Sequence, residues 1–275
     1  MTNNMFFIAN WKMFGDFKSV NSIKKVIKLS KNKKYKKAQI LYCPPYTLID
    51  KFIKLVKNSK IKIGAQNCHY SQNPGPFTGS INTDLIKSSG AKYVIIGHSE
   101  NRVIGDNNHI INLKIKSALK KKLKIIFCIG ETLNEKRKNK TNLILNSQII
   151  HGLKNIKKNN NIIFAYEPVW SIGTGIIPKT NSLEKQVFVI KKMITKFWKL
   201  KNPKIIYGGS VSTKNIAELK KISLINGFLI GGASQNSKNF IFWNYTCSNR
   251  PNRFICKNDI VIFFYIFQAV NYLRI

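Results

Sequence analysis

A chain of 275 residues with 44% hydrophobic content can bury a large core, which excludes wholesale disorder and leaves room for one large domain or two small ones. Its formal net charge of +36 is extreme and comes almost wholly from lysine. The five cysteines (Cys43, Cys68, Cys128, Cys247, Cys256) contain no C-x-x-C pair and the four histidines are scattered, so neither a disulfide framework nor a zinc site is expected.

The start, MTNNMFFIANWK, has no basic n-region and no long apolar h-region, so no secretory signal is expected and a reducing cytoplasm is the default compartment. Its apolar run at 5–10 is the first predicted strand. That run continues into Asn10 and Lys12, where an open dinucleotide-binding sheet would carry G-x-G-x-x-G. Further short apolar runs follow at 39–45, 62–67, 93–99, 124–131, 162–168, 204–210 and 227–233. Between them lie Lys-rich segments with helical spacing, such as 112–122 and 183–200. The lysine runs of 30–38 and 117–124 are predicted as solvated helix faces.

Runs of four to six apolar residues without alternation fit strands buried on both faces. Strand followed by helix, about eight times over, predicts an α/β protein with a single (β/α)8 barrel of the TIM type. The charge has two readings, a nucleic-acid binder and a lysine-, asparagine- and isoleucine-rich composition. Arginine forks and interleaved aromatics, the usual equipment of nucleic-acid sites, are not seen, so no specific nucleic acid is expected. A positive field would still draw in a small anion.

Nearly every run ends in polar or glycine chemistry: Asn10 and Lys12, Gln66 and Asn67, His98 and Glu100, Glu131, Glu167, Ser210, Gly231 and Gly232. In a parallel barrel these ends share one rim, and the loops there converge on one mouth. An acid directly after an apolar strand, as Glu167 is, can be shielded from water, which raises its pKa and improves it as a base. Pro168 holds Glu167 in extended geometry. His98 opens a predicted short helix, whose dipole disfavours a charged imidazole. The glycines of 171–175, 208–210 and 231–234 are placed to let backbone N–H groups approach an anion.

Taken together, ANWKM (9–13), IIGHSENR (95–102), CIGE (128–131), AYEPVWSIGTG (165–175), YGGSV (207–211) and LIGGAS (229–234) resemble the motifs of triosephosphate isomerases, in that family's order. The resemblance runs from about Phe6 to about Phe242 and implies a barrel domain over 1–245 with a C-terminal extension, 246–275, of unknown role. It implies a cofactor-free, metal-free isomerase of triose phosphates, acting in glycolysis and gluconeogenesis. By the same resemblance Glu167 carries the proton, His98 is the neutral electrophile, Lys12 supplies fixed positive charge with Asn10 as its polar partner, and Glu100 supports Lys12. Gly173, Ser210, Gly231 and Gly232 would grip the phosphate beneath a lid, PVWSIGTG. The resemblance also implies a homodimer docked through the 73–80 loop. The chain departs from the family pattern at Ile176-Ile177-Pro178 in the far lid hinge, at Asn101 and at Ser80. In the extension, the apolar run 260–267 is far shorter than the roughly 20 residues of a membrane span.

Overall fold

The computed structural model describes residues 5–33, 37–235 and 237. The extension at 246–275 lies outside the described residues. Eight strands, β1 (Met5–Asn10), β2 (Ala38–Cys43), β3 (Lys62–Ala65), β4 (Tyr93–Ile96), β5 (Lys124–Ile129), β6 (Ile162–Tyr166), β7 (Lys204–Tyr207) and β8 (Gly227–Ile230), close in sequence order into a parallel barrel. The seam pairs β1 with β8, from Phe6 opposite Gly227 to Ala9 opposite Ile230. Closure needs glycine there: Gly227 has φ +151°, and a Cβ on it would lie 2.1 Å from the Phe6 carbonyl oxygen.

Among the described residues, nine helices lie between the strands in the chain: α1 (Ile23–Ser30), α2 (Ile49–Val56), α3 (Thr83–Ser88), α4 (Ser99–Val103), α5 (Asn108–Lys120), α6 (Leu133–Arg137), α7 (Thr141–Gly152), α8 (Thr180–Trp198) and α9 (Ile216–Leu219). The helices predicted at 112–122 and 183–200 are α5 and α8. Residues 34–36 of the lysine run at 30–38 lie outside the described residues. Helix α1 stops at Ser30 and β2 begins at Ala38, so the run lies mostly in the connection between them. Charge pattern alone carries no stop signal, and no glycine or proline marks this helix end.

Strand residues alternate between two cores because the side-chain period of a strand is two. Phe7, Ala9, Tyr42, Val94, Ile96, Phe127 and Phe164 pack outwards with the helices. Phe6, Leu41, Tyr93, Ile126 and Ile163, then Ile8, Cys43, Ile95, Cys128, Ala165, Ile206 and Leu229, fill the barrel. The rings, Phe6 and Tyr93, lie nearer the N-terminal ends, and the small residues Cys43, Cys128 and Ala165 nearer the C-terminal ends, among Ile and Leu. One further step of two along β1, β6, β7 and β8 reaches Asn10, Glu167, Gly208 and Gly231. The C-terminal end of the barrel is therefore rimmed by an amide, a carboxylate and two glycines.

Candidate active site

Glu167 follows β6 directly, is 2% exposed, and its backbone N–H donates to the Ile129 carbonyl at 2.8 Å, which locks the strand end in register. Burial pushes its carboxyl above the ordinary value of 4.5, while His98, the Cys128 thiol, Lys12 and Arg102 pull it partly back. Its neighbour on β7 makes the space: a Cβ on Gly208 would sit 2.6 Å from Glu167 Cγ.

His98 caps α4 and is 5% exposed. Its Nδ1 accepts the Glu100 backbone N–H at 3.2 Å, so that nitrogen carries no proton and the neutral ring holds its proton on Nε2. The Glu100 carboxylate stands 3.6 Å from the same Nδ1, beyond hydrogen-bonding distance, and does not displace the backbone donor. Nε2 faces Glu167, with Oε1 3.7 Å away.

Lys12 leaves β1 with φ +53°, an unfavourable conformation for a residue with a Cβ. Two amides hold it there. Its N–H donates to Asn10 Oδ1 at 3.1 Å, and Gln66 Nε2 donates to its carbonyl at 2.8 Å while also reaching the Cys43 carbonyl at 2.9 Å. Lys12 Nζ forms an ion pair with Glu100. Gly231 at the end of β8 leaves the lysine stem its path, since a Cβ there would lie 3.3 Å from Lys12 Cε. Asn10, Lys12, His98, Glu100 and Glu167 thus gather at the C-terminal mouth, as their positions in the sequence implied.

The glycine loops surround the same mouth. Gly173 and Gly175 take positive φ (+72° and +76°) in an exposed turn with open space about them. The loop entering that turn is anchored by Trp170, whose Nε1 donates to buried Glu131 at 2.9 Å, with the Tyr166 hydroxyl donating to the same carboxylate at 3.2 Å. Ser210 follows β7, and its N–H faces the buried Ser171 hydroxyl at 3.3 Å. Gly231 is half-buried and Gly232 exposed at the start of a short 3-10 turn, Gly232–Gln235.

Three supporting residues carried no distinct sign in the sequence as site residues: Arg102, Cys128 and Ser171. Arg102 braces the ends of β4 and β5, donating to the carbonyls of Gly97 at 2.8 Å and Cys128 at 3.2 Å. Gln66, also supporting, did offer a hint, as a polar residue ending an apolar run. No group of three or more His, Cys, Asp or Glu among the described residues is arranged to hold a metal ion. No helix among them is long and apolar enough to cross a membrane. The arrangement sets a buried carboxylate beside an imidazole, next to a held ammonium and glycine-lined turns. That set can move a proton on a small anionic carbonyl compound and stabilise the oxyanion that forms.

Residues 5–244 match the family model described as triosephosphate isomerase. Among curated relatives, the triosephosphate isomerase of Dictyoglomus thermophilum is 40% identical over 243 residues, covering 86% of this chain and 96% of that protein. That of Thermodesulfovibrio yellowstonii is 36% identical over 239 residues, with 86% and 96% covered. The crystal structure of triosephosphate isomerase from Bartonella henselae superposes with a TM-score of 0.81 at 31% identity, covering 90% of this chain and all of that one.

Proposed function

The chain belongs to the triosephosphate isomerase family and interconverts glyceraldehyde 3-phosphate and dihydroxyacetone phosphate; we propose that Glu167, His98, Lys12 and Asn10 carry the reaction. Glu167 removes the proton from the carbon next to the carbonyl. Its burial makes it a stronger base than an exposed carboxylate. The His98 Nε2–H donates to the substrate oxygen as negative charge develops, and the Lys12 ammonium stabilises the enediolate, with Asn10 beside it. Glu167 then returns the proton to the adjacent carbon. Glu100 engages Lys12 before the anion arrives. Gly173, Ser210, Gly231 and Gly232 supply the phosphate grip, and closure of the 168–178 lid keeps water from the enediolate.

One observation carries this assignment: a buried carboxylate stands 3.7 Å from an imidazole nitrogen whose proton is fixed by the backbone bond at the other nitrogen. The test is a coupled assay of both directions with the Glu167→Gln variant. Turnover should fall by at least about 10²-fold, and parental turnover in that variant would refute the role.

The working unit is a homodimer in the cytoplasm, with residues 1–245 as the isomerase domain. Support for the dimer comes from apolar side chains bare on one side of the mouth. Met13 is 95% exposed, Val103 86% and Ile104 81%, and Phe14, Phe17, Tyr70 and Phe77 are also exposed. They sit on the loops following β1, β3 and β4, next to the 73–80 segment, and an apolar patch of this kind marks a protein contact. A second copy of the chain covers it.

A further inference from the structure

The hydroxyl of Ser171 stands at a junction that the reaction scheme does not use. Ser171 is fully buried at the first root of the lid. Its Oγ lies 2.6 Å from the carbonyl oxygen of Ile176 at the other root, 3.0 Å from the Tyr207 hydroxyl at the end of β7, and 3.3 Å from the Ser210 N–H in the following turn. A serine hydroxyl has one proton to give and two lone pairs to fill. The Ile176 carbonyl can only accept, so Ser171 must donate to it. Both remaining partners must then donate to Ser171: Tyr207 through its O–H and Ser210 through its N–H. All three positions are filled, and each proton direction is fixed.

Two neighbouring features fit the same junction. A Cβ on Gly209 would lie 2.3 Å from the Tyr207 hydroxyl oxygen and 2.8 Å from Ser171 Oγ, so the turn can close around the hydroxyl only because it carries glycine there. Inside the lid, the Thr174 hydroxyl donates towards the Trp170 and Ser171 carbonyls at 3.3 Å and accepts the Ile176 N–H at 3.2 Å. The lid is therefore braced as a unit, and Ser171 is the atom through which that unit is joined to the 207–210 segment.

We propose that Ser171 is a positioning residue that presents the lid and the 208–210 turn to the substrate phosphate as one preassembled element. The proposal rests on the assignment of those two loops to the phosphate. Preassembly lowers the ordering cost that phosphate binding must otherwise meet, so its loss falls on substrates that carry phosphate. The Glu167 and His98 geometry has no bond to Ser171 and stays as it is.

The test compares two substrates in Ser171→Ala. With glyceraldehyde 3-phosphate, kcat/KM should fall about five- to thirtyfold, the worth of one or two buried neutral hydrogen bonds. With glyceraldehyde, which lacks phosphate, proton exchange into solvent deuterium followed by NMR should stay within about twofold of the parent. Equal losses on both substrates, or no loss on the phosphorylated one, overturn the proposal. Tyr207→Phe removes one partner of Ser171 while leaving the sequence of the lid intact, and supplies the same comparison should Ser171→Ala fold poorly. Because the bonds meet at one atom, the double variant should lose no more than about twofold beyond the worse single variant, whereas additive losses count against the junction. Glu167→Gln silences both substrates if the base is correctly assigned, so failure of that assignment is visible separately.

Discussion

Oε1 of Glu167 and Nε2 of His98 face each other at 3.7 Å across the mouth of the barrel, from strands β6 and β4 that are not neighbours in the sheet. The gap exceeds a hydrogen bond, so the two groups are poised beside one another without neutralising each other. Each is held from behind, Glu167 by the Ile129 carbonyl and His98 by the Glu100 N–H. The geometry leaves a carboxylate and an imidazole nitrogen free to meet neighbouring atoms of a small substrate.

Holding Glu167 dry has a cost to stability. Its folded pKa is raised above the ordinary 4.5, so the folded state binds this proton more tightly than the unfolded state does. Its contribution to stability therefore falls as pH rises from about 4.5 through the raised folded value, and is recovered on acidification. Glu131, raised by the same cause, acts in the same direction. Glu167→Gln should melt above the parent at pH 7, with the gap closing towards pH 4.5. A variant that melts at or below the parent at neutral pH would sink this reading.

Gly208 tests the space around the base. In Gly208→Ala the new Cβ would lie 2.6 Å from Glu167 Cγ, and the carboxylate must swing away. Misplacing a reacting group by about 1 Å can cost on the order of 10²-fold, so a loss of kcat of ten- to a hundredfold, roughly, is expected at near-parental melting temperature. Steady-state kinetics with calorimetry checks this, and an unchanged kcat would show that the rim has slack.

A nearly buried ion pair ties the loop after β4 to the end of β3. Lys114 Nζ reaches both carboxylate oxygens of Asp106 at 2.7 Å and Asn67 Oδ1 at 3.0 Å. Lys114→Met would strand a nearly buried carboxylate, at a cost of about 3 kcal/mol in unfolding by denaturant. Replacing Asp106 by Leu in the same chain should return much of that loss. A single variant within about 1 kcal/mol of the parent would mean that the pair contributes little.

The bare apolar patch leads to a prediction about assembly. Ile104 is 81% exposed beside Val103, in the loop after α4. Ile104→Asp places a charge in the contact proposed between two copies, and sedimentation velocity should show the mass halved relative to the parent. A parental chain that sediments as a monomer, or a variant that stays dimeric, removes the dimer through this face.

Eight apolar runs punctuated by polar ends were legible because a strand buried on both faces needs a continuous apolar stretch, and that requirement is local. The placement of the rim residues was legible for the same reason: Glu167, His98 and Lys12 each stand one or two residues past the end of such a strand. What the sequence could not supply was the set of partners that depend on closure. Gln66 reaches across to the Lys12 carbonyl, Gly208 gives up its side chain to Glu167, and Ser171 gathers Ile176, Tyr207 and Ser210. The end of α1 at Ser30 carried no mark of its own, because solvated lysines follow a helix and a loop equally well. Sequence by itself determined which residues end the strands. Only the closed barrel, by bringing segments from different strands within hydrogen-bonding distance, decided which side chains hold them in place.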